Sequence, residues 1–229
     1  MSYLLGYIVA DGCIYKRKDR KNSYVLNITS KDRDHLVSIN ESLHSDYPIS
    51  IKYNSQRMPH SQIQISNLEI CKDLINLGIL PRKTIHLEPI NTPSEYFFDF
   101  ARGFFDGDGS VYIYKVNDVS QIKASFVSTS YSFLNNFNAN LCKYLDIPPK
   151  SIHQELPKNN RTLTKYRIDF YISDCEKLAK CLYENDPILY LSRKRKIFEG
   201  WKSKPRRHYS KKNYPSKIGW HLNKQFYIA

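Results

Sequence analysis

Ala101-Arg102-Gly103-Phe104-Phe105-Asp106-Gly107-Asp108-Gly109 decides how this chain is read, because it has a counterpart at the very start. There the chain runs Leu4-Leu5-Gly6-Tyr7-Ile8-Val9-Ala10-Asp11-Gly12. Gly6, Asp11 and Gly12 recur 97 residues later as Gly103, Asp108 and Gly109. Each segment is largely apolar between those positions and closes on an acidic residue followed by glycine. Two such segments half a chain apart point to a duplicated unit whose copies meet and bring two carboxylates together.

The repeat extends beyond the two segments. Cys13 to Ser30 and Ser110 to Ser128 are both rich in β-branched and aromatic residues, and each reads as a β-hairpin. Leu36, Ile39 and Leu43 have helical spacing, as do Leu134, Phe137 and Leu141, 98 residues on. Alternating stretches follow: Ile49, Ile51 and Tyr53, then Ile63 and Ile65, and in the second half Tyr166, Ile168, Phe170 and Ile172. Period-two alternation means a sheet with one buried and one wet face. Ile65-Ser66-Asn67 and Ile172-Ser173-Asp174 then open similar helices. The expectation is an α+β fold of two pseudo-symmetric αββαββα halves, residues 1–94 and 95–200, with a basic tail over 201–229.

Read as helices, the two opening segments carry small or short residues at i, i+4 and i+8: Ser2, Gly6 and Ala10 on one, Asp99, Gly103 and Gly107 on the other. Such a stripe lets two helix backbones approach closely. Gly12 and Gly109 are expected as left-handed C-terminal caps. Asp11 and Asp108 then fall in the last turn, where the helix dipole is negative and a carboxylate needs a compensating cation. Two carboxylates at the ends of touching helices make a hard, oxygen-donor metal site that suits Mg²⁺ or another divalent cation. Asp106 has Val9 at its matching position, so a local or capping role is expected for it.

With these residues in view, the chain resembles the LAGLIDADG homing endonucleases in their single-chain form with two motif copies. Gly103 to Ser110 is a typical motif, and Leu5 to Gly12 departs from it at Val9. The resemblance covers about residues 1–200 and leaves out the tail. It implies motif helices packed at the interface and antiparallel sheets forming a saddle for the DNA major groove. It implies metal-dependent hydrolysis of both strands, with the last acidic residue of each motif binding metal. Lys83 and Lys194 follow matching apolar segments and resemble the family's active-site lysines. Lys31, at the end of the first hairpin, is a further catalytic candidate, and its counterpart Thr129 makes that site asymmetric.

Alternation then sorts the sheet faces. In the first hairpin Cys13, Tyr15, Arg17, Val25, Asn27 and Thr29 are expected outward, and in the second Ser110, Tyr112, Tyr114, Lys123, Ser125 and Val127. The outer strands add Ser50, Lys52, Asn54, Gln62, Gln64, Arg167, Asp169 and Tyr171. Amides and cations on such a face can pair with base edges or hold phosphates.

Bulk properties agree with a polyanionic partner. Lys and Arg outnumber Asp and Glu by 35 to 22, a net charge of +13. No apolar run approaches membrane-spanning length, no secretory signal is visible, and the five cysteines form no CxxC pair. An intracellular, reducing setting is expected, whether cytoplasm, nucleoid or organelle. From Lys202 to Ala229 there are eight Lys or Arg and no acidic residue. The leading reading is a monomeric, site-specific double-strand DNA endonuclease with a long target. Intron RNA stays open as a second partner, and the alternative is an intron maturase or a non-cleaving nucleic-acid-binding protein on the same fold.

Overall fold

A computed structural model describes residues 1–17, 23–54, 56–81, 87–157 and 163–202, with Lys202 described by its backbone alone. In the first part of the chain, helix α1 (Ser2–Asp11) leads into β1 (Gly12–Lys16) and β2 (Tyr24–Ser30). Helix α2 (Arg33–Ser42), strands β3 (Ile49–Tyr53) and β4 (Pro59–Ile65), and helix α3 (Leu68–Asn76) follow. A single 3₁₀ turn at Ser94–Tyr96 introduces α4 (Phe97–Asp108), β5 (Ser110–Val116) and β6 (Val119–Ser128). Then come α5 (Tyr131–Tyr144), β7 (His153–Glu155), β8 (Lys165–Tyr171), α6 (Ile172–Tyr183) and a further helix, α7 (Ser192–Lys202).

The two sheets among the described residues have the same topology. One is ordered β1-β2-β4-β3 and the other β5-β6-β8-β7, all neighbours antiparallel. Period-two patterning does what the sequence requires of it. Ile14, Leu26, Ile28, Ile63 and Ile65 are buried from the first sheet, and Val111, Ile122, Ala124, Phe126, Ile168 and Phe170 from the second. The second core is aromatic: the Phe104 ring lies 5.7 Å from Phe126, 5.1 Å from Phe133 and 5.1 Å from Phe137. Such pairs add about 1 kcal/mol each beyond the area they bury.

Helices α1 and α4 pack directly on one another, and their small-residue stripe explains how. A Cβ built on Gly6 would lie 2.8 Å from the Phe104 nitrogen and closer still to the Phe100 carbonyl oxygen. A Cβ on Gly103 would meet Tyr7 nitrogen at 2.8 Å and the Tyr3 carbonyl oxygen at shorter range. Only hydrogen fits at either place, so backbone lies against backbone.

Several expectations need correction. Gly12 and Gly109 are not left-handed caps, since φ and ψ are −80° and 152° at one and −76° and 161° at the other. These are extended residues that turn each helix straight into a strand. Glycine is required for space, because a Cβ would lie 2.9 Å from Ile8 Cα or Phe105 Cα and nearer to the carbonyl oxygens of those residues. Ile51 and Tyr53 are exposed because they lie on the edge strand of their sheet; α2 packs near Ile49. Ile172 ends the alternation of β8 by opening α6, with φ of 27°. Trp201, placed in the tail by the sequence, is buried in α7 beside Phe198, while 203–229 lie outside the described residues. Among the described residues no helix is long and apolar enough to cross a membrane.

Candidate active site

Asp11 and Asp108 are the last residues of α1 and α4. Because those helices abut along their stripe, their C-terminal ends are neighbours. A Cβ on Gly107 would collide with Ala10 Cβ and would lie 3.5 Å from Asp11 Oδ2. Asp108, exposed, also lines a 220 Å³ hollow with Val9 and Ala10 of α1. The two carboxylates expected to come together therefore stand at one junction, Asp11 half-buried and Asp108 open to solvent. Among the described residues no group of three or more His, Cys, Asp or Glu gathers as a metal site, so the junction offers two protein carboxylates.

A buried polar network braces this junction from behind. Asp106 is 1% exposed, and its carboxylate accepts from Tyr3 Oη at 2.8 Å, Tyr183 Oη at 3.2 Å and Leu191 N at 2.8 Å. Burial pushes its pKa up, against the hydrogen bond from Tyr3 and the charge of Lys194. The Tyr3 hydroxyl also lies 2.9 Å from His35 Nε2. With the phenol proton given to Asp106, the imidazole must donate Nε2–H to Tyr3. The local role expected for Asp106 is thus larger than a cap: it ties α1, α4, α6 and the start of α7 together.

Lys194 closes the same region. It is 3% exposed, and its Nζ donates to the carbonyls of Phe105 at 2.5 Å, Asp106 at 2.8 Å and Gly109 at 2.6 Å. Burial pushes the ammonium down to about 8, while Asp106 pulls the other way. A cation against the last carbonyls of a helix is where the dipole favours it. The sequence reading placed Lys194 among the catalytic groups; its ammonium instead caps the turn that carries Asp108, which makes it a positioning residue.

The other lysine candidates differ. Lys83 lies outside the described residues. Lys31 is exposed and lines a 500 Å³ cleft with Asp32, Arg33, Asp34, Arg193 and Lys196, whose lining includes neither Asp11 nor Asp108. Its counterpart Thr129 lines the hollow of Asp108 together with Ser128 and Lys165. Lys165 is a residue that sequence reasoning missed, since it opens a strand and belongs to neither motif. Across the back, Arg193 Nε meets Asp32 at 3.0 Å and joins α7 to the start of α2.

No protein-family model and no curated protein sequence matches the chain. Solved structures do. The homing endonuclease I-WcaI bound to its DNA recognition sequence aligns at 13% identity over 86% of this chain and 84% of that one, TM-score 0.54. LAGLIDADG meganuclease I-CpaMI bound to uncleaved DNA aligns at 15% identity over 88% and 89%, TM-score 0.54. I-DmoI in complex with DNA and Ca aligns at 15% identity over 79% and 87%, TM-score 0.51. The chain has the LAGLIDADG homing endonuclease fold. In that fold α1 and α4 are the two motif helices, and β1–β4 and β5–β8 are the two sheets.

The outward residues of these sheets fall into different states. Cys13, Ser50, Lys52, Gln64, Ser110, Tyr112 and Tyr171 are exposed, Tyr15 is open with its hydroxyl 3.0 Å from Gln64 Nε2, and Arg17, Asn27, Thr29 and Tyr114 are half-buried. The side-chain oxygens of Asn27 and Gln62 are buried without a hydrogen-bond partner. Four expected readers are not open. Val25, Gln62, Ser125 and Asp169 are each at most 6% exposed. For Ser125 and Asp169 the reason is an ion cluster above them, formed with Lys123 and Arg167. Asn54 belongs to the turn after β3, where its Oδ1 accepts from the Gln56 and Met58 nitrogens, both at 2.9 Å. A side chain so engaged is a turn-former, not a base reader.

Proposed function

We propose that this protein is a DNA endonuclease that cuts both strands of a long, specific duplex with a divalent cation held by Asp11 and Asp108. The observation that carries the reading is the junction itself: an acidic residue ends each of two helices packed backbone to backbone, and a Cβ on Gly107, the neighbour of Asp108, would lie 3.5 Å from Asp11 Oδ2. The donor set fits a hard cation. Both ligands are carboxylates, one of them is open to solvent, and the turn behind Asp108 is held by Lys194. When bound, such a cation supplies charge neutralisation and a more acidic water for phosphodiester hydrolysis. Mg²⁺ is the first choice on availability and ligand type.

The chain's own residues do the rest. Gly6 and Gly103 set the spacing of the two aspartates. Asp106 and Lys194 keep the second motif helix from fraying at its acidic end. The two sheets offer amides, hydroxyls and cations to base edges, and a net charge of +13 draws the duplex in. The three solved structures aligned above are homing endonucleases, each with DNA, which supports a duplex as ligand and a single chain as the working unit. Incubating the full chain with a randomised duplex library and Mg²⁺, then sequencing the ends produced, tests this. A recurrent cut site appearing only with the divalent cation is expected; random or metal-independent ends would overturn it.

A further inference from the structure

The outward faces of the two sheets are built from different chemistry, row for row. Across the first sheet run Cys13, Asn27 and Gln64, and beside them Thr29, Gln62 and Ser50. Every one is uncharged. The matching rows of the second sheet are Ser110, Ser125 and Asp169, then Val127, Arg167 and His153, with Tyr112, Lys123 and Tyr171 on the other side. Gln64 thus corresponds to Asp169, Gln62 to Arg167 and Val25 to Lys123. The duplicated core is matched, but these central rows have diverged from neutral to ionic, while Lys52 and Arg17 of the first sheet lie outside them.

Asp169 is the centre of that divergence. Its carboxylate accepts from Ser125 Oγ at 2.7 Å and pairs with Lys123 Nζ at 2.8 Å. Arg167 Nε stands 3.0 Å away, an ion-pair distance without hydrogen-bond alignment, and the same guanidinium reaches Glu155. Burying an acid on the outward face of a sheet brings nothing to the core. It costs desolvation that the paired cations and the Ser125 hydroxyl must offset. What it does is fix two long cationic side chains whose freedom a groove would otherwise have to remove. Lys123 keeps 14% and Arg167 32% of its side-chain surface exposed. Fixed N–H donors match the one major-groove edge with two adjacent acceptors, guanine N7 and O6. The amides of the first sheet, each carrying a donor and an acceptor, match adenine N6 and N7 instead.

We infer that Asp169 is a specificity-determining residue. It holds Lys123 and Arg167 so that the second sheet selects guanine edges, while the uncharged central rows of the first sheet select mixed donor–acceptor edges. The target is then asymmetric in base type as well as in sequence. The inference rests on the DNA-binding reading above. It is tested by selecting bound duplexes from a randomised library with the full chain and with Asp169→Asn, in Ca²⁺ to hold cleavage back. Wild type should enrich guanine in one half of the recovered site. Asp169→Asn should lower that guanine preference at least tenfold, leave the other half unchanged and keep its melting temperature. Lys123→Gln gives the same readout should Asp169→Asn not fold. Equal base types in both halves, or an intact guanine preference in the variants, overturns the assignment. Recovery of no preferred duplex by wild type would instead remove the DNA-binding reading, and this assignment with it.

Discussion

Replacing Gly6 by alanine is the sharpest perturbation of the motif junction. The new methyl would lie 2.8 Å from Phe104 N and 2.9 Å from Phe100 C, and nearer still to Phe100 O. Reaching an ordinary contact of 3.4 Å at the nitrogen needs a shift of 0.6 Å, and the carbonyl demands more. All three atoms are backbone of the opposite helix, so no side chain can swing aside. Overpacking of this kind costs about 3 kcal/mol, the upper part of its usual range. For a domain of this size that lowers the melting point by roughly 6–12 °C. The same opening moves Asp11 against Asp108, and a misplacement near 1 Å at a reacting centre costs on the order of 100-fold in rate. Gly200→Ala is the control, because a Cβ there meets nothing within 4 Å in the last turn of α7, where alanine gains up to about 1 kcal/mol of helix propensity. Thermal melting and single-turnover cleavage measure both variants. A Gly6→Ala protein that melts and cuts like wild type would refute the close-packed junction.

Three further outcomes are expected. His35 is 5% exposed and burial pushes its pKa down to about 4, so the unfolded chain takes up the imidazole proton first as pH falls; stability present above pH 6.5 is lost towards pH 4, by about 3 kcal/mol, and His35→Gln should flatten that part of the melting-versus-pH curve. Lys194→Met should cost about 3 kcal/mol in denaturant unfolding, since it strips the ammonium from carbonyls of Phe105, Asp106 and Gly109, and it should slow cleavage by loosening the turn that carries Asp108. Phe126→Ala should cost about 4 kcal/mol in the same unfolding assay while leaving DNA specificity unchanged, because its ring lies between those of Phe104, Phe105, Phe137 and Phe170, away from the sheet's outer face.

The repeat was legible because each of its elements has a strong periodic signal. Gly6, Gly103 and Gly107 marked the close approach, and the alternation of Ile63 and Ile65 or Ile168 and Phe170 marked buried faces correctly. What sequence could not show was which outward residues stay outward. Ser125 and Asp169 have the right parity, yet Lys123 reaching across from β6 and Arg167 two residues away on β8 cover them, and the cross-strand part of that cluster is a tertiary effect that no local pattern carries. Ile51 and Tyr53 failed for the opposite reason, since an edge strand can keep its period with little packed over it. Gly12 and Gly109 were misread because glycine serves both as a left-handed cap and as a residue with no Cβ to clash, and only geometry separates the two. Lys194 was found by position, but its role depended on where its ammonium points, which follows from α7 packing against β5 and α6.

The central claim is that Asp11 and Asp108 share the metal-dependent step. Single-turnover cleavage of a selected duplex, with each strand labelled, tests it in wild type, Asp11→Asn and Asp108→Asn. Both variants should bind the duplex within a few-fold of wild type and lose double-strand cleavage by on the order of 1,000-fold in Mg²⁺. Either variant cutting both strands at near the wild-type rate would contradict the account.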